Sequence, residues 1–552
     1  VAVIASSQGY LCLVLHAHLP FVRHPEHATF LEEDWLYEAL TECYIPLLAR
    51  LHGLVEDGVR FRLTLSVSPT LAAMLSDPLL CSRYELRRDR LRRLAEQELE
   101  RTRGTPFAAA AIALHGQLAT GHRFWDRWKG DMLSALRRLE ETGCLEILTS
   151  TATHGFLPLM SAEEARRAQV HTGVDAHERM FGRRPGGIWL AECGYAPGVD
   201  RLLAEARLGH FFCESSAVLY AHPRPRFGVF APVATPAGPL AFARDPECGR
   251  QVWSSAQGYP GDHHYREYYR DLGFDASYDY IRPFLHADGV RRHLGFKYFR
   301  VTGTHIPLHL KRPYDPSVAA ERAIEHARHF VGRQRERVRE IEALIARPPV
   351  LTAPYDAELF GHWWFEGPAF LEAVIREIAR DPTALRMVTP EDLVSGAADL
   401  DTVELNPSSW GREGNSKVWL NGSNAWMYRH LHRMERRMVA LAAAHPQADG
   451  LTRRILDQAA RELLLAQSSD WPFIVTNRTA VTYAMRRFQS HVERFTRLDA
   501  MATGRGRADA EWLHEVESRD SLFPGMDYRV YGRMRDEGSG MRDEGSGMRD
   551  QG

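Results

Sequence analysis

The chain has 552 residues with a formal charge of -2 and interspersed acidic and basic side chains. That length exceeds one ordinary core, so a large domain with at least one companion is expected. The charge balance excludes a nucleic-acid or anionic-surface binder and points to an uncharged substrate. Twelve Trp and 19 Tyr supply flat apolar faces that suit sugar rings, although core packing claims most aromatics. Seven Cys, an odd number, lack CxxC pairs, and Cys12, Cys144, Cys193 and Cys213 sit in or beside apolar runs. They read as free thiols of a reducing, cytoplasmic compartment. No run of about 18 apolar residues exists to span a membrane, and Val1 to Ile4 lack the basic region of a leader.

Tyr10 to His16 predicts a first buried strand ending in His16-Ala17-His18-Leu19-Pro20. Residues two apart in an extended chain face one side, so His16 and His18 point together. They suit sugar-hydroxyl contacts better than a metal, which needs more ligands. Trp35 to Val55 has helical spacing with Asp34 as its cap, and Phe61 to Val67 alternates as a second strand. From Asp77 to Arg138 the strand rhythm stops, predicting an inserted helical subdomain in which the basic run Arg87 to Arg93 is a solvated face. Leu145 to Leu148 resumes the strands and leads to His154. Ser161 and Glu164 form a capping-box pattern for a helix to Phe181.

Ile188-Trp189-Leu190, set between glycines, predicts a strand buried on both faces that delivers Glu192 to its C-terminal end. In a parallel barrel that end faces the active-site mouth. A structural ion pair is the plain alternative for this carboxylate. A short helix, Val199 to Arg207, and a strand, Phe211 to Ser215, follow; the alternation favours a parallel α/β barrel. Tyr220 to Arg244 is a Pro- and Gly-rich covering loop or hairpin. Trp253, Tyr259 and His263-His264 lie in another loop, Lys297 to Thr302 reads as a strand, and Ser317 to Ala346 as a long amphipathic helix. Val350 to Tyr355 is a short apolar strand ending in Asp356, two residues before Glu358; either carboxylate could be structural. Two carboxylates at different strand ends are what cleavage of a glycosidic bond requires. Beyond residue 400 the pattern is helical, over 424–444, 451–467 and 477–498, and the repeat MRDEGSG of the 526–552 tail predicts disorder.

The segments HAHLP at 16–20, THGFLPL around His154, WLAECGY around Glu192 and PYDAELFGHWWFEGP around Asp356 resemble, in order and spacing, the family 57 glycoside hydrolases. With SSWG and SDWPF in the helical part, the chain most resembles the α-glucan branching members of that family. The resemblance implies an incomplete (β/α)7 barrel (1–76 and 139–400), an inserted helical subdomain (77–138), a helical C-terminal domain (401–525) and a terminal tail. It implies no metal and no cofactor, with an α-glucan as partner. By motif, Glu192 would be the nucleophile and Asp356 the general acid/base, with His16, His18 and His154 lining the reacting subsite. Trp253, Trp363, Trp410 and Trp419 would contact glucan, and Asp470 and Trp471 would close the far wall. The resemblance also implies a Tyr on a loop over the cleft, within a segment like 226–232. This chain has Phe227 and Phe230 there, so shielding from water would come without a hydroxyl. Readings left open are a 4-α-glucanotransferase or α-amylase-like hydrolase, a metal-dependent polysaccharide deacetylase built on His16 and His18, and a catalytically silent glucan binder.

Overall fold

The computed structural model describes residues 7–254, 258–394 and 399–532. Its strands are β1 Tyr10–Ala17, β2 Leu63–Val67, β3 Leu145–Ser150, β4 Gly187–Trp189, β5 His210–Cys213, β6 Val233–Ala234, β7 Leu240–Ala243, β8 Val350–Asp356 and β9 Arg386–Met387. They form one sheet in the order β6-β7-β5-β4-β3-β2-β1-β8, with β9 beside the start of β1. From β7 to β8 every neighbouring pair is parallel, and only β6 runs against β7. Among the described residues no ladder closes β7 onto β8. Instead Asp245 N donates to Thr352 O at 2.7 Å across the gap. The strand-bearing domain is therefore an incomplete (β/α)7 barrel.

Alternation along the strands explains what faces inward. On β1, Leu11, Leu13 and Leu15 pack outward against helices, while Cys12 and Val14 join Trp189, Phe212, Phe242 and Val350 inside the barrel. Continuing that period brings His16 inward at the C-terminal end. On β8, Leu351, Ala353 and Tyr355 face the helices, so the inward set ends with Asp356. The β1–β8 register pairs His16 with Asp356, placing both at the same end of the barrel.

The regular elements between β2 and β3 are all helices: Pro69–Leu75, Pro78–Arg101, Ala108–Arg127 and Met132–Glu141. The C-terminal part is a bundle of Trp426–Ala444, Gly450–Ala466, Asp470–Asn477, Val481–Ala502 and Ala510–Arg519. Its centre is Gly450–Ala466, where Leu456, Leu463 and Leu464 are fully buried. Truncating one of these leucines to Ala should cost about 2–5 kcal/mol. The bundle docks on the barrel through Glu435, whose carboxylate accepts from Ser161 Oγ at 2.6 Å and from Gln467 Nε2 at 3.1 Å.

Several local expectations are corrected. Asp34 is not a cap: the helix begins at Glu33, and Asp34 accepts from buried Arg87 at 2.6 Å. Arg87 is thus an internal ion-pair partner and not part of a solvated face. That helix also contains a π-helical turn, Leu40–Tyr44. Ser161 does not cap Glu163–Phe181, because its hydroxyl is drawn to Glu435. Residues 297–302 make only isolated bridges and no strand. Met526, Tyr528 and Tyr531 are buried, so the helical domain reaches at least residue 532. The expected tail from 533 lies outside the described residues. All seven cysteines are free thiols, with Cys81 and Cys144 half-buried. Among the described residues no helix is long and apolar enough to cross a membrane.

Candidate active site

Glu192 follows β4 in a single tight turn, Ala191–Cys193, with φ of 62°. Cys193 also has a positive φ, 50°. Left-handed conformations cost a non-Gly residue about 1–2 kcal/mol, and here they swing the carboxylate into the barrel mouth. Two donors hold it: Trp410 Nε1 to Oε2 at 2.8 Å and Ser469 Oγ to Oε1 at 2.9 Å. Burial raises the Glu192 pKa, and these two bonds oppose the rise.

Behind Ser469 stands a histidine chain. His154 Nδ1 lies 2.8 Å from Ser469 Oγ, His154 Nε2 lies 2.9 Å from His16 Nε2, and His16 Nδ1 lies 3.2 Å from Ser66 Oγ. Because Ser469 gives its proton to Glu192, it must accept from His154 Nδ1–H. That leaves His154 Nε2 to accept from His16 Nε2–H, and His16 Nδ1 to accept from Ser66. Every donor in the chain thus points toward Glu192. Burial and then neighbouring imidazoles push the pKa of His16 and of His154 down, keeping both rings neutral as this pattern requires. His18, stacked on His154 at 3.8 Å, is the member whose protonation is favoured. Burial would lower its pKa, but Asp470, hydrogen-bonded at 3.0 Å, outweighs burial and raises it. Asp470 is lowered in turn: the His18 charge overcomes its burial.

Asp356, at the end of β8, contrasts with Glu192. Among the described residues no donor reaches its carboxyl. Burial, then the negative neighbours Glu358 and Glu192, raise its pKa well above the usual carboxylate range, with Arg244 opposing. Glu358 is anchored differently, since it accepts from Tyr44 Oη and from His18 N, the latter at 3.1 Å. It holds the β1 end in place and repels an ionised Asp356.

The structure therefore gathers Glu192, Asp356, His16, His18, His154, Trp410 and Asp470 at one end of the barrel. Trp410 also packs edge-on against Trp189, at 4.9 Å. Trp363 is 53 % exposed and stacks on Tyr268 at 4.4 Å, and Trp253, 38 % exposed, ends the helix Pro246–Trp253. No bond joins either ring to the two carboxylates among the described residues. Trp419 and Trp471 are corrections. Each is only 1 % exposed, Trp419 stacked on Phe156 at 4.8 Å and Trp471 donating to Leu465 O at 2.8 Å, so neither can touch a glucan. Phe227 and Phe230 are a larger correction. Phe230 O accepts from Val350 N at 2.8 Å, at the first residue of β8, and Phe227 lies between Arg226 and Arg347. Asp356 ends that strand six residues on, roughly 20 Å away at the rise of an extended chain. The 226–232 segment covers the opposite end of the barrel. Sequence reasoning missed Ser469, Tyr44 and Arg244; Ser469 adjoins Asp470 in SSDWPF, but serines are common in caps and turns.

His18, His154 and Asp470 place ligand-type atoms within 4.8 Å of one another. Their ring nitrogens are already committed: His18 to Asp470 and Ser68, His154 to His16 and Ser469. A cation there would have to deprotonate His18 and break the chain to Glu192, so this donor set does not fit a metal as arranged.

Residues 12–406 match the family described as Glycosyl hydrolase family 57, and residues 430–531 match the 1,4-alpha-glucan branching enzyme C-terminal family. The 1,4-alpha-glucan branching enzyme TK1436 of Thermococcus kodakarensis is 35 % identical, over 94 % of this chain and 77 % of that relative. The α-amylase AmyC of Thermotoga maritima superposes with a TM-score of 0.89 at 42 % identity, over 96 % of this chain and 99 % of the other. The branching enzyme of Pyrococcus horikoshii gives 0.86 at 35 % identity, over 96 % and 97 %. On these matches and on the barrel that carries them, the chain belongs to glycosyl hydrolase family 57.

Proposed function

We propose that this chain is a retaining 1,4-α-glucan branching enzyme, with Glu192 as nucleophile and Asp356 as general acid/base. The observation that carries the chemistry is the unequal environment of the two carboxylates. Glu192 accepts from Trp410 and Ser469, which favour its anionic form, whereas among the described residues Asp356 has no donor and has two negative neighbours. Two close carboxylates share one proton, and here it sits on Asp356. Asp356 gives that proton to the O4 leaving oxygen as a Glu192 oxygen attacks the anomeric carbon and the C1–O4 bond breaks. Asp356, now ionised, takes the proton from the 6-hydroxyl of a second glucan. Its O6 then displaces Glu192 from C1, and two inversions give an α-1,6 branch. Water in place of the 6-hydroxyl gives hydrolysis. In a retaining pair the carboxylates lie about 5–5.5 Å apart. Neutral His16 and His154 fix the tautomer that keeps Ser469 donating to Glu192, and His16 and His18 edge the ring under attack.

Transfer to a glucan, and not to water, is supported by the branching relatives and by the C-terminal family match over 430–531. The likeness to AmyC favours an α-amylase as second reading. Linear amylose separates them: proton NMR counts α-1,6 linkages while a reducing-end assay runs on the same sample. Abundant α-1,6 signal with few reducing ends is the expected result; reducing ends without α-1,6 signal would make it a hydrolase. In the same proposal the barrel spans 1–76 and 139–400, with the helical insertion at 77–138 and the C-terminal bundle from 401. The free thiols favour a reducing compartment such as the cytoplasm.

A further inference from the structure

The helix Glu33–Ala39 runs into Ile45–Glu56 through the π-turn Leu40–Tyr44, in which Ile45 N donates to Leu40 O, five residues back. Pro46 accounts for the turn. A proline cannot give the α-helical bond to the carbonyl four residues back, here that of Glu42, and its ring crowds the same carbonyl, so the helix widens just ahead of it. Turns of this kind occur often at functional sites. More residues per revolution also narrow the angle between consecutive side chains.

Three consecutive residues of this turn hold the segment that follows β8. Glu42 Oε2 accepts from His362 Nδ1 at 2.8 Å, Cys43 Sγ donates to Ala357 O at 2.9 Å, and Tyr44 Oη donates to Glu358 Oε1. The backbone joins in at Gly361, whose φ of 119° is open mainly to glycine and where a Cβ would lie 1.9 Å from Glu42 O. Glu42, Cys43 and Tyr44 are all buried. The turn thus grips the chain directly after Asp356.

Of these contacts, the one from Tyr44 bears on proton transfer. Asp356 and Glu358 stand two residues apart, and either can carry a proton that neighbouring carboxylates share. Burial raises the Glu358 pKa as it raises that of Asp356, and at Glu358 the bond from Tyr44 opposes the rise most. Burial, then the Glu358 charge, pushes the Tyr44 pKa well up, so the phenol keeps the proton it donates. Asp356 has no such donor among the described residues. Without Tyr44, Glu358 would compete for the proton, and an ionised Asp356 cannot protonate a leaving oxygen.

We propose that Tyr44 is a positioning residue for the general acid: presented by the π-turn, it makes Glu358 the poorer base of the pair, so that the proton rests on Asp356, where the O4 leaving group needs it. The inference rests on the retaining reading above, in which Asp356 is that acid.

Tyr44→Phe keeps the ring and removes the donor, and two substrates read its effect. The leaving oxygen of amylose needs a proton; the fluoride of α-maltosyl fluoride does not, so fluoride released in the first turnover reports the attack of Glu192 alone. Tyr44→Phe should lower kcat on amylose roughly 10- to 100-fold and keep first-turnover fluoride release at the rate of the parent. In a Glu358→Gln background, where position 358 can no longer take the proton, the same substitution should cost little. Equal losses on both substrates, no loss on amylose, or the same loss in the Glu358→Gln background would overturn the role of Tyr44 and leave the catalytic reading standing. Asp356→Asn, measured alongside, should show the same split between substrates; if it loses fluoride release as well, the acid/base reading falls and the inference with it.

Discussion

The ends of β4 and β8 each deliver one carboxylate to the same mouth, and they differ in what surrounds it. At the β4 end, Glu192 receives two hydrogen bonds, one from Trp410 and one from Ser469, and a chain of neutral imidazoles aims its donors the same way. At the β8 end, Asp356 receives none from the described residues and faces Glu358 and Glu192. Residue type does not distinguish nucleophile from acid; the partners do. The C-terminal bundle matters here, because Ser469 and Asp470 come from it and complete the β4 side.

The largest effect should come from removing either carboxylate. Glu192→Gln and Asp356→Asn should each lower transfer on amylose by roughly 10³-fold, the scale of a lost acid/base or covalent step. Stripping one donor from the β4 side comes next. Hydrogen bonds to a charged group are worth roughly 1.5–3 kcal/mol, so Trp410→Phe and Ser469→Ala should each reduce kcat/KM by roughly 10- to 100-fold. Losing a donor also raises the Glu192 pKa further. Since the nucleophile must be ionised, the acid limb of the pH–rate profile should move to higher pH in both variants. A profile unchanged in shape would mean that these bonds merely pack the site.

Glu358→Gln sharpens the contrast from the other side. It keeps an acceptor for Tyr44 and His18 N but removes the charge that raises Asp356. Asp356 must start protonated, and activity is lost as pH rises through its pKa. The alkaline limb should therefore shift to lower pH in this variant. Stability follows the same sign. A carboxyl raised by burial binds more protons in the folded state than in the unfolded chain, so its stabilisation is full below its unfolded pKa and falls as pH rises through the folded pKa. Asp356→Asn should thus unfold at a higher temperature than the parent at neutral pH and lose that advantage in acid. The smallest effect is expected at the far end of the barrel: Phe230→Ala should lower stability while leaving the ratio of α-1,6 linkages to reducing ends unchanged.

The strand ends were legible because a buried parallel strand leaves a continuous apolar run that stops at a polar residue. His16, Glu192 and Asp356 each stand at such a stop. The period of two also put His16 and His18 on one side, and their rings stack at 5.8 Å. Trp419 and Trp471 were not legible as core, since a Trp in a loop motif has the same letter whether it lines a cleft or packs on Phe156. Phe227 and Phe230 were placed at the wrong end because a Pro-rich segment shows that a loop exists but not which mouth it covers. That is set by contacts far along the chain, among them Val350 N to Phe230 O and Arg226 to Asp401. The Ser161 cap failed for a similar reason: Glu435, distant in sequence, competes for the hydroxyl. Ser469 was invisible because its role depends on a contact between domains.

The central claim, that the β4 carboxylate attacks while the β8 carboxylate manages the proton, is tested most directly by trapping the intermediate. Asp356→Ala protein incubated with an α-maltosyl fluoride, whose leaving group needs no proton, should gain one maltosyl unit by intact-protein mass spectrometry. Peptide mapping should place it on Glu192, and the Glu192→Gln, Asp356→Ala double variant should gain nothing. An adduct on any other residue, or an adduct that survives in the double variant, would contradict the assignment.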